Sequence, residues 1–340
     1  MGNPRKIRPL TACSSLCKRM LRKSVCVSHR KDVDGLASAA LVQGAKGTEV
    51  LLAGYNDVLA ILRQIQGVKE VYICDLGLNP SITPGFLAEL DRLSQSSSVT
   101  YIDHHPLNEE LKGQIRAKGV DLVHSVEECA GVLTYLKLRD ELPAESFLLA
   151  CYAAVTDYLD TQPLARQLMQ RFDRQFILLE ATMLSYAISR RNGDPLFLAS
   201  VINRLAKMTY PHQIEGVQAA AAVQAEEIVK LSSTLSKEGQ RMRNFAYAET
   251  REEATGLVAN LLFGAFDTPV AFAYRIESEG VFEGSLRGSY TLDKNLGSIA
   301  TVLAQQLGGS GGGHKKAAGV RVPVTRLKEF LDLLDHGLET

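Results

Sequence analysis

The stretch Val99-Thr100-Tyr101-Ile102-Asp103-His104-His105 begins as a short apolar run and ends in three chemically active polar side chains. A short apolar run followed by a histidine or an aspartate also occurs twice earlier in the chain, at Val25–Ser28 before His29 and at Val71–Cys74 before Asp75. These runs are almost continuously apolar, which is typical of strands buried on both faces. Helical stretches separate them, and this alternation predicts a parallel sheet with right-handed crossovers and helices on both sides.

Outward from these strands, the sequence divides into four segments. Residues 1–23 form a basic N-terminal extension, and residues 24–190 predict a doubly wound α/β domain with a parallel sheet. Residues 191–240 predict a helical connector, and residues 241–340 predict a smaller α/β domain. The first domain is expected to have strands at Ser24–Ser28, Glu49–Ala53, Glu70–Cys74, Ser98–Ile102 and Val120–Val123. We also expect one long helix over Ala165–Arg190, at the end of the first domain, and a glycine-rich loop over Gly308–Gly313 in the second.

The overall charge argues against a protein that coats long duplex DNA. The chain has 38 basic and 38 acidic residues, so it has no global positive field. A local basic cleft remains compatible with this balance. The basic residues of segment 1–23 suit either a solvated extension or an arm that helps to hold nucleic-acid phosphates.

The apolar runs and the cysteines indicate the environment of the protein. The runs are far shorter than the roughly 20 residues that a membrane-spanning helix needs, so no membrane association is expected. Four of the six cysteines lie in apolar or helical contexts typical of small core residues. Cys13 and Cys17 lack a second pair that would complete a zinc site. No secretory signal pattern opens the chain, so we expect a reducing cytoplasm.

Side chains that can bind metals or transfer protons cluster at the predicted strand and helix ends. The set comprises His29, Asp32, Asp34, Asp75, Asp103, His104, His105 and Asp157. The carboxyl ends of parallel strands meet at one edge of a sheet, where ligands bind in open α/β folds. A single Asp after a strand is usually a helix cap or a turn residue. That interpretation does not account for the whole set, so we expect a functional site.

The mixture of carboxylates and imidazoles favours hydrolysis assisted by two metal ions. Carboxylate oxygens with a few imidazoles suit Mn²⁺ better than the thiolate-rich sites of zinc or the water-rich sites of magnesium. Two ions about 3.5–4 Å apart need one bridging carboxylate and can hold a hydroxide between them. A histidine that binds no metal can hydrogen-bond a phosphate. We therefore expect two Mn²⁺ ions, with Mg²⁺ or Co²⁺ as alternatives.

These motifs resemble those of the DHH phosphoesterases. Asp103-His104-His105 is similar to the motif that gives the family its name. Gly311-Gly312-Gly313-His314-Lys315-Lys316-Ala317-Ala318-Gly319 resembles the GGGHxxAAG motif of the associated C-terminal domain. The other matches are His29, Asp32 and Asp34 for the first motif, Asp75 for the second, Asp157 for the fourth, and Ser285-Leu286-Arg287-Gly288-Ser289 in the C-terminal domain. The resemblance covers residues 24–324, with the motifs in the family's order.

The resemblance implies a role for each matched residue of the first domain. The metal ligands would be His29, Asp32, Asp34, His104 and Asp157, with Asp75 bridging the two ions. Asp103 would orient a ligand, and His105 would face the scissile phosphate. Asp160 is the alternative to Asp157 as a ligand. Two residues separate His29 from Asp32, whereas many members of the family have three.

In the second domain, the resemblance implies contacts with substrate. Arg287, two residues after Ser285, would grip a substrate phosphate. The backbone N–H groups of Gly311–Gly313 would approach a phosphate closely, as glycine permits. His314 would contact the terminal phosphate or the base of a nucleotide.

The implied protein is an enzyme that cuts short or single-stranded oligonucleotides to 5′-mononucleotides through a metal-bridging hydroxide. A RecJ-like exonuclease on longer single-stranded DNA or RNA and a phosphodiesterase for cyclic dinucleotides are the alternatives. The balanced charge favours short substrates such as those of nanoRNases. An inactive scaffold of a replication or repair complex is disfavoured because the motif carboxylates are all present. A homodimer and a replication or repair partner both stay open.

Overall fold

A computed structural model describes residues 24–251 and 255–339 of the chain. The basic extension 1–23, with Cys13 and Cys17, lies outside the described residues, so the predictions made for it stay predictions. Cys26, Cys74, Cys129 and Cys151 are buried free thiols. Within the described residues, no helix is both long and apolar enough to cross a membrane.

The N-terminal sheet has five parallel strands in the order β2-β1-β3-β4-β5. They are β1 Ser24–His29, β2 Glu49–Ala53, β3 Glu70–Cys74, β4 Ser98–Asp103 and β5 Asp121–His124. Strands β1, β3 and β4 are buried along nearly their whole length, which explains their continuous apolar runs. The strand order reverses between β1 and β3, so a crevice opens beside their carboxyl ends. The predicted doubly wound parallel sheet is confirmed.

Helices cover both faces of this sheet. The helices are α1 Val33–Lys46, α2 Val58–Gln64, α3 Thr83–Ser94, α4 Glu109–Ala117, α5 Ala130–Leu138, α6 Phe147–Thr156, α7 Pro163–Met169, α8 Arg174–Arg191, α9 Pro195–Leu205 and α10 Val217–Glu238. Helices α2, α3 and α4 contribute to an apolar core on one face of the sheet. On the other face, α1, α5, α6, α8 and α9 build a second core. Short 3-10 helices lie at Arg139–Glu141, Ala144–Ser146, Pro211–Gln213 and Val324–Arg326.

The single helix predicted over Ala165–Arg190 is wrong, because the structure has two helices there, α7 and α8. Residues 170–173 interrupt the segment. The Asp173 carboxylate accepts a hydrogen bond from the Phe176 N–H at 2.7 Å and so caps α8. An aspartate that bonds a nearby backbone N–H favours a helix start over a helix interior.

Helix α10 connects the two domains and contributes to the core of each. Val217 and Ala220, near its start, belong to the core formed by α1, α6 and α8. Leu235, near its end, packs in an apolar cluster of the C-terminal domain. Most side chains between these ends are exposed. The connector is therefore anchored at both ends.

The C-terminal domain contains a six-stranded mixed sheet in the order β10-β11-β9-β8-β7-β6. The strands are β6 Gln240–Arg241, β7 Phe245–Glu249, β8 Val270–Ile276, β9 Val281–Gly288, β10 Ser310–Gly313 and β11 Ala317–Pro323, and the helices are α11 Thr255–Phe266, α12 Leu296–Gln306 and α13 Leu327–Glu339. Helices α12 and α13 share an apolar core with one face of the sheet. Helix α11 packs with Leu235 on the other face.

The glycine-rich segment is an edge strand, so its prediction as a loop is wrong. Gly311 pairs with Val320 and Gly312 pairs with Gly319 in an antiparallel ladder between β10 and β11. The strand also packs tightly against α12, since a Cβ on Gly311 would lie 2.5 Å from the Ala300 carbonyl oxygen. Glycine is needed here for this close approach of two backbones.

Candidate metal centre

The predicted metal ligands of the first domain meet at the carboxyl edge of the parallel sheet. His29 is the last residue of β1, and Asp75 follows β3 directly. Asp103 is the last residue of β4, and His104 follows it. Asp157 is the C-cap of α6 and reaches the same crevice. Adjacent strands β1, β3 and β4 thus bring together residues that are far apart in sequence.

One group of ligand atoms surrounds the His104 imidazole. His104 Nε2 lies 3.6 Å from Asp34 Oδ2, 3.4 Å from Asp75 Oδ1 and 3.3 Å from Asp157 Oδ2. Asp34, His104 and Asp157 each offer a ligand atom within 4.8 Å of the others, as one metal ion requires. Asp34 is fully buried, and Asp75 and His104 are nearly so.

A second group lies beside the first and includes Asp75. His29 Nδ1 lies 2.8 Å from Asp32 Oδ2 and 3.5 Å from Asp75 Oδ2. His29, Asp32 and Asp75 also offer atoms within 4.8 Å of one another. The two oxygens of Asp75 therefore face different groups, Oδ1 toward His104 and Oδ2 toward His29. This is the placement required of a carboxylate that bridges two ions.

The backbone fixes the orientation of Asp34 and Asp75. Asp34 lies in the first turn of α1, where its two oxygens accept hydrogen bonds from the N–H groups of Ala130 at 2.9 Å and Gly131 at 2.6 Å. Asp75 has a φ of 54°, in the left-handed region that is uncommon for residues other than glycine. Such backbone conformations cost free energy and cluster at functional sites. Both carboxylates are thus held in place before any ligand binds.

The electrostatics of the cluster fit divalent cations. Burial and the neighbouring Asp75 charge raise the pKa of Asp34 to about 7. Burial and the Asp34 charge raise the pKa of Asp157 well above its usual range. Asp75 Oδ2 is buried and accepts no hydrogen bond. Carboxylates crowded in a dry site, one with an unpartnered oxygen, repel one another unless cations bind between them.

The surroundings favour the charged form of the two histidines, whereas they favour the neutral form of Asp34 and Asp157. Burial alone would lower the pKa of His104, but the hydrogen bond to Asp75 and the charges of Asp34 and Asp157 outweigh it and raise the pKa to about 10. Burial likewise opposes protonation of His29, yet Asp32 and Asp75 raise its pKa well above the usual value. In the metal-free protein, protons on these imidazoles supply part of the positive charge that cations would otherwise provide.

Asp103 and His105 form a hydrogen-bonded pair beside these two groups, with His105 Nδ1 4.0 Å from Asp75 Oδ1. His105 Nδ1 lies 2.9 Å from Asp103 Oδ1, and the Tyr101 hydroxyl donates to Asp103 Oδ2 at 3.2 Å. Asp103 is fully buried; burial opposes its charge, but His105 lowers its pKa below the usual range. Gly77 lies against His105, since a Cβ there would come 2.5 Å from His105 Cγ. Asp103 therefore sets the orientation of the His105 ring.

Tyr55 also borders the site, although it was not among the predicted site residues. Its hydroxyl lies 3.4 Å from His105 Nε2, and its ring centroid lies 5.7 Å from that of His29. Asp57 holds the loop by accepting a hydrogen bond from the Gly54 N–H at 2.7 Å and by pairing with Arg30. The sequence signal was weak, because strand β2 is followed by glycine and tyrosine and not by a charged residue.

The C-terminal domain contributes His314 to the same crevice. The His314 ring centroid lies 5.5 Å from that of His104 and 5.8 Å from that of His105. Burial and the nearby His105 and His104 imidazoles lower the pKa of His314 to about 4. His314 is thus neutral near pH 7. Gly313 precedes it with a φ of 139°, and the His314 N–H donates to the Ala317 carbonyl at 2.7 Å.

The predicted phosphate-binding residues lie nearby on β9. The Arg287 guanidinium packs over Gly256, where a Cβ would come 2.2 Å from Arg287 Nη2. No carboxylate of the described residues forms a salt bridge with Arg287, and burial lowers its pKa. Ser285 exchanges a hydrogen bond of 2.8 Å with Thr255 at the start of α11. A half-buried guanidinium without a counter-ion is suited to bind an anion.

Asp160, His124 and His212 have structural contacts outside the two ligand groups. Asp160 pairs with Arg174 at 3.2 Å, so it lies apart from the cluster that contains Asp157. His124 Nε2 donates to the His105 carbonyl at 2.7 Å and braces that loop. His212 lies against the buried carboxylate of Glu180.

Comparison with known proteins identifies the C-terminal domain and the overall fold. Residues 239–340 match the family model of the DHHA1 domain. Solved structures of DHH proteins share the fold of more than nine tenths of the chain. Residues 239–340 therefore carry a DHHA1 domain, and the chain as a whole has the fold of solved DHH proteins.

Several known proteins are similar to the chain at low identity. The DHH domain of a protein described as a member of a family of ribosomal proteins has a TM-score of 0.68 and 16% identity, covering 93% of this chain and 86% of that one. RecJ from Thermus thermophilus, in complex with Mn²⁺, has a TM-score of 0.61 and 17% identity, covering 94% of this chain and 52% of that one. The pGpG-specific phosphodiesterase PggH from Vibrio cholerae has a TM-score of 0.54 and 13% identity, covering 93% of this chain and 98% of that one.

Among curated sequences, an uncharacterised protein of Methanocaldococcus jannaschii is 26% identical over 166 residues. The match covers 44% of this chain and 37% of that protein, so it spans little more than a third of the relative's length.

Proposed function

We propose that the chain is a divalent-cation-dependent phosphodiesterase that hydrolyses short or single-stranded oligonucleotides to 5′-mononucleotides. The observation that carries the proposal is the position of Asp75 between two carboxylate–histidine groups, with one oxygen facing each. The relatives support the same general class, since one is a phosphodiesterase for a dinucleotide and another is RecJ with Mn²⁺ bound.

The proposed ligands divide between two ions. Asp34, His104 and Asp157 would hold one ion, and His29 and Asp32 would hold the other, with Asp75 shared. Bound divalent cations would lower the pKa of water and balance the negative charge on phosphorus. Carboxylates with imidazoles fit Mn²⁺, and the same oxygens also accept Mg²⁺.

His105 would hydrogen-bond the scissile phosphate. Burial opposes its protonation, but the Asp103 carboxylate raises the pKa of His105 above the usual value. A protonated imidazole held at Nδ1 by Asp103 can donate from Nε2 to a phosphate oxygen. The orientation of this ring is therefore important for stabilising charge that develops during hydrolysis.

Gly77→Ala tests that orientation. The added methyl group would collide with the His105 ring, so we expect kcat to fall by about a hundredfold, as for a catalytic group displaced by about 1 Å. Steady-state kinetics on a dinucleotide would measure the loss. Gly113→Ala in α4 is the control, since its Cβ would have no atom within 4 Å and kcat should not change. An unaltered kcat in Gly77→Ala would contradict the role of His105.

The second domain would bind the rest of the substrate. Arg287 would form paired hydrogen bonds with a phosphate, since it lacks a carboxylate partner among the described residues. His314 is neutral near pH 7, so it would act by hydrogen bonding or stacking and not as a cation. Both residues lie on the DHHA1 domain, and the metal ligands lie on the other domain. Substrate would therefore bind in the cleft between them.

The inactive-scaffold alternative is disfavoured by the arrangement of the site. A scaffold has no need for buried carboxylates that raise one another's pKa, because such crowding costs stability. In this chain, the matched carboxylates of the first domain all lie together, and Asp75 adopts a strained backbone conformation. We therefore favour an enzyme.

Substrate length is the property to measure first. The experiment uses Mn²⁺ and 5′-labelled RNA and DNA from dinucleotides to about thirty nucleotides, roughly twice the longest site of one single-strand-binding fold. A cyclic dinucleotide is included. We expect turnover to be fastest on the shortest linear substrates. Stepwise loss of nucleotides from long strands would favour the RecJ-like exonuclease instead, and preference for the cyclic compound would favour a cyclic-dinucleotide phosphodiesterase. No turnover of any of them would overturn the proposal.

A further inference from the structure

Tyr158 ends helix α6 at a position where glycine is usually preferred. Its φ is 60°, in the left-handed region. Its N–H donates to the Val155 carbonyl at 3.2 Å, and the Leu159 N–H donates to the Ala154 carbonyl at 2.8 Å. This pair of hydrogen bonds closes many helix C-termini, and the residue in the position of Tyr158 is commonly glycine because a Cβ is unfavourable there. A bulky aromatic at this position needs another explanation.

Packing does not provide that explanation. The side chain of Tyr158 is 67% exposed, so little apolar surface is buried to offset the strained backbone. Among the described residues, its hydroxyl makes only a long contact, 3.4 Å from Asn260 Nδ2 on α11. The ring itself therefore faces solvent within the described structure.

The position of Tyr158 points to a ligand. It follows Asp157 directly, whose Oδ2 lies 3.3 Å from His104 Nε2 in the metal centre. Across the cleft are Asn260 and Arg287 of the DHHA1 domain. The Arg287 guanidinium packs over Gly256, which lies on the same helix α11 as Asn260. An exposed aromatic ring thus directly follows a proposed metal ligand and contacts α11, the helix against which the proposed phosphate-binding Arg287 packs.

We propose that Tyr158 is a specificity-determining residue that stacks on a nucleobase next to the scissile phosphate. The proposal rests on the proposed phosphodiesterase function. It adds that the substrates of the protein are nucleotides and not simple phosphodiesters without a base. Aromatic side chains bind single-stranded nucleic acids in this way, and stacking tolerates any base because every base has a π-face. Stacking on Tyr158 would thus select for a base without selecting its identity.

The test compares Tyr158→Gly and Tyr158→Phe with the unaltered protein. The ligands are a dinucleotide and the same sugar–phosphate backbone without bases. For Tyr158→Gly we expect the Kd of the dinucleotide to rise roughly 5- to 150-fold, the effect of losing one base–aromatic stack, and the Kd of the abasic compound to stay the same. The thermal midpoint should rise by about 2–4 °C, because glycine relieves the left-handed strain. Tyr158→Phe should bind the dinucleotide like the unaltered protein.

Each other outcome has a distinct meaning. Equal effects of Tyr158→Gly on the two compounds would overturn the stacking proposal. A Tyr158→Phe variant as weak as Tyr158→Gly would also overturn it, since the hydroxyl contact with Asn260 would then be what matters. Binding is measured separately from turnover. Failure of the unaltered protein to hydrolyse the dinucleotide would therefore count against the proposed phosphodiesterase, while the ratio of Kd values would still decide the role of Tyr158.

Discussion

Replacing Asp75 by asparagine is expected to reduce kcat/KM for phosphodiester hydrolysis by roughly a thousandfold while the fold stays intact. Residues that merely support a metal ligand cost about 10–100-fold when they are mutated, and Asp75 faces both proposed ion sites. Asparagine tolerates the left-handed φ of 54° nearly as well as aspartate does. Because Asp75 Oδ2 accepts no hydrogen bond, the amide does not break one there. The loss should therefore reflect the missing charge.

Steady-state kinetics, calorimetric titration with Mn²⁺ and circular dichroism would separate these effects. We expect the variant to bind fewer ions, or to bind them more weakly, with an unchanged spectrum. Asp121→Asn is the matched control. Asp121 is exposed at the amino end of β5, away from the carboxyl edge that carries the site, and it pairs with Lys137. It should retain activity within about twofold, as exposed ion pairs contribute little. An Asp75→Asn enzyme with full activity would rule out the shared-carboxylate mechanism.

The metal-free protein should lose stability as the pH rises from about 4 to 8. The pKa of Asp34 is about 7 in the folded protein against an ordinary value of 3.8, so the folded state keeps a proton that the unfolded chain loses. The stabilisation is complete below pH 3.8 and disappears as the pH rises through about 7; that difference corresponds to roughly 4 kcal/mol. The pKa of His104 is about 10 in the folded protein against an ordinary value of 6.5. Its contribution to stability is therefore also lost as the pH rises, between about 6.5 and 10.

Asp32 and Asp103 have the opposite effect, since their pKa values are lowered in the folded state. Their contribution is present above their ordinary pKa of 3.8 and is lost in more acidic solution. We therefore expect the thermal midpoint in EDTA to be highest near pH 4, where both kinds of contribution are present.

Thermal unfolding at pH 5 to 8, in EDTA and in excess Mn²⁺, would measure these changes. The metal-free midpoint should fall by on the order of 10 °C over this range. The gap between the two conditions should widen with pH, because ion binding to deprotonated ligands releases protons. Asp34→Asn, which removes the titrating group, should flatten the EDTA curve. A midpoint in EDTA that is constant from pH 5 to 8 in the unaltered protein would show that the carboxylates are not crowded as described.

The sequence predicts the N-terminal domain well because its strands are buried on both faces. Such strands are nearly continuous in apolar residues, and each is followed by a clear helix, as with β1 and α1. Two elements of the C-terminal domain, α11 and β10, are harder to predict. Helix α11 is apolar almost throughout, with little helical periodicity, and β10 consists of serine and three glycines, a composition more typical of a loop. Only tertiary contacts with β11 and α12 make that segment a strand.

The candidate site could be predicted where its residues follow buried strands. Asp75 and His104 were found in this way, since the edge of a parallel sheet collects such side chains. Tyr55 was missed because it follows the edge strand β2 without a charged neighbour. Tyr158 was also missed, because an aromatic residue after a helix suggests packing until its backbone conformation and exposure are known. Aromatic residues at binding sites leave no pattern that distinguishes them from those in cores.

Because α10 is anchored in both cores, the relative orientation of the two domains depends on the number of residues in this helix. Its 22 residues extend about 33 Å as a rigid spacer. Substitutions on its exposed middle turns leave this spacing unchanged. Inserting or deleting one residue there would instead rotate everything downstream by about 100° around the helix axis and shift it by about 1.5 Å. His314 would then turn away from His104, so the length of this helix, more than its composition, determines whether His314 faces the candidate metal centre.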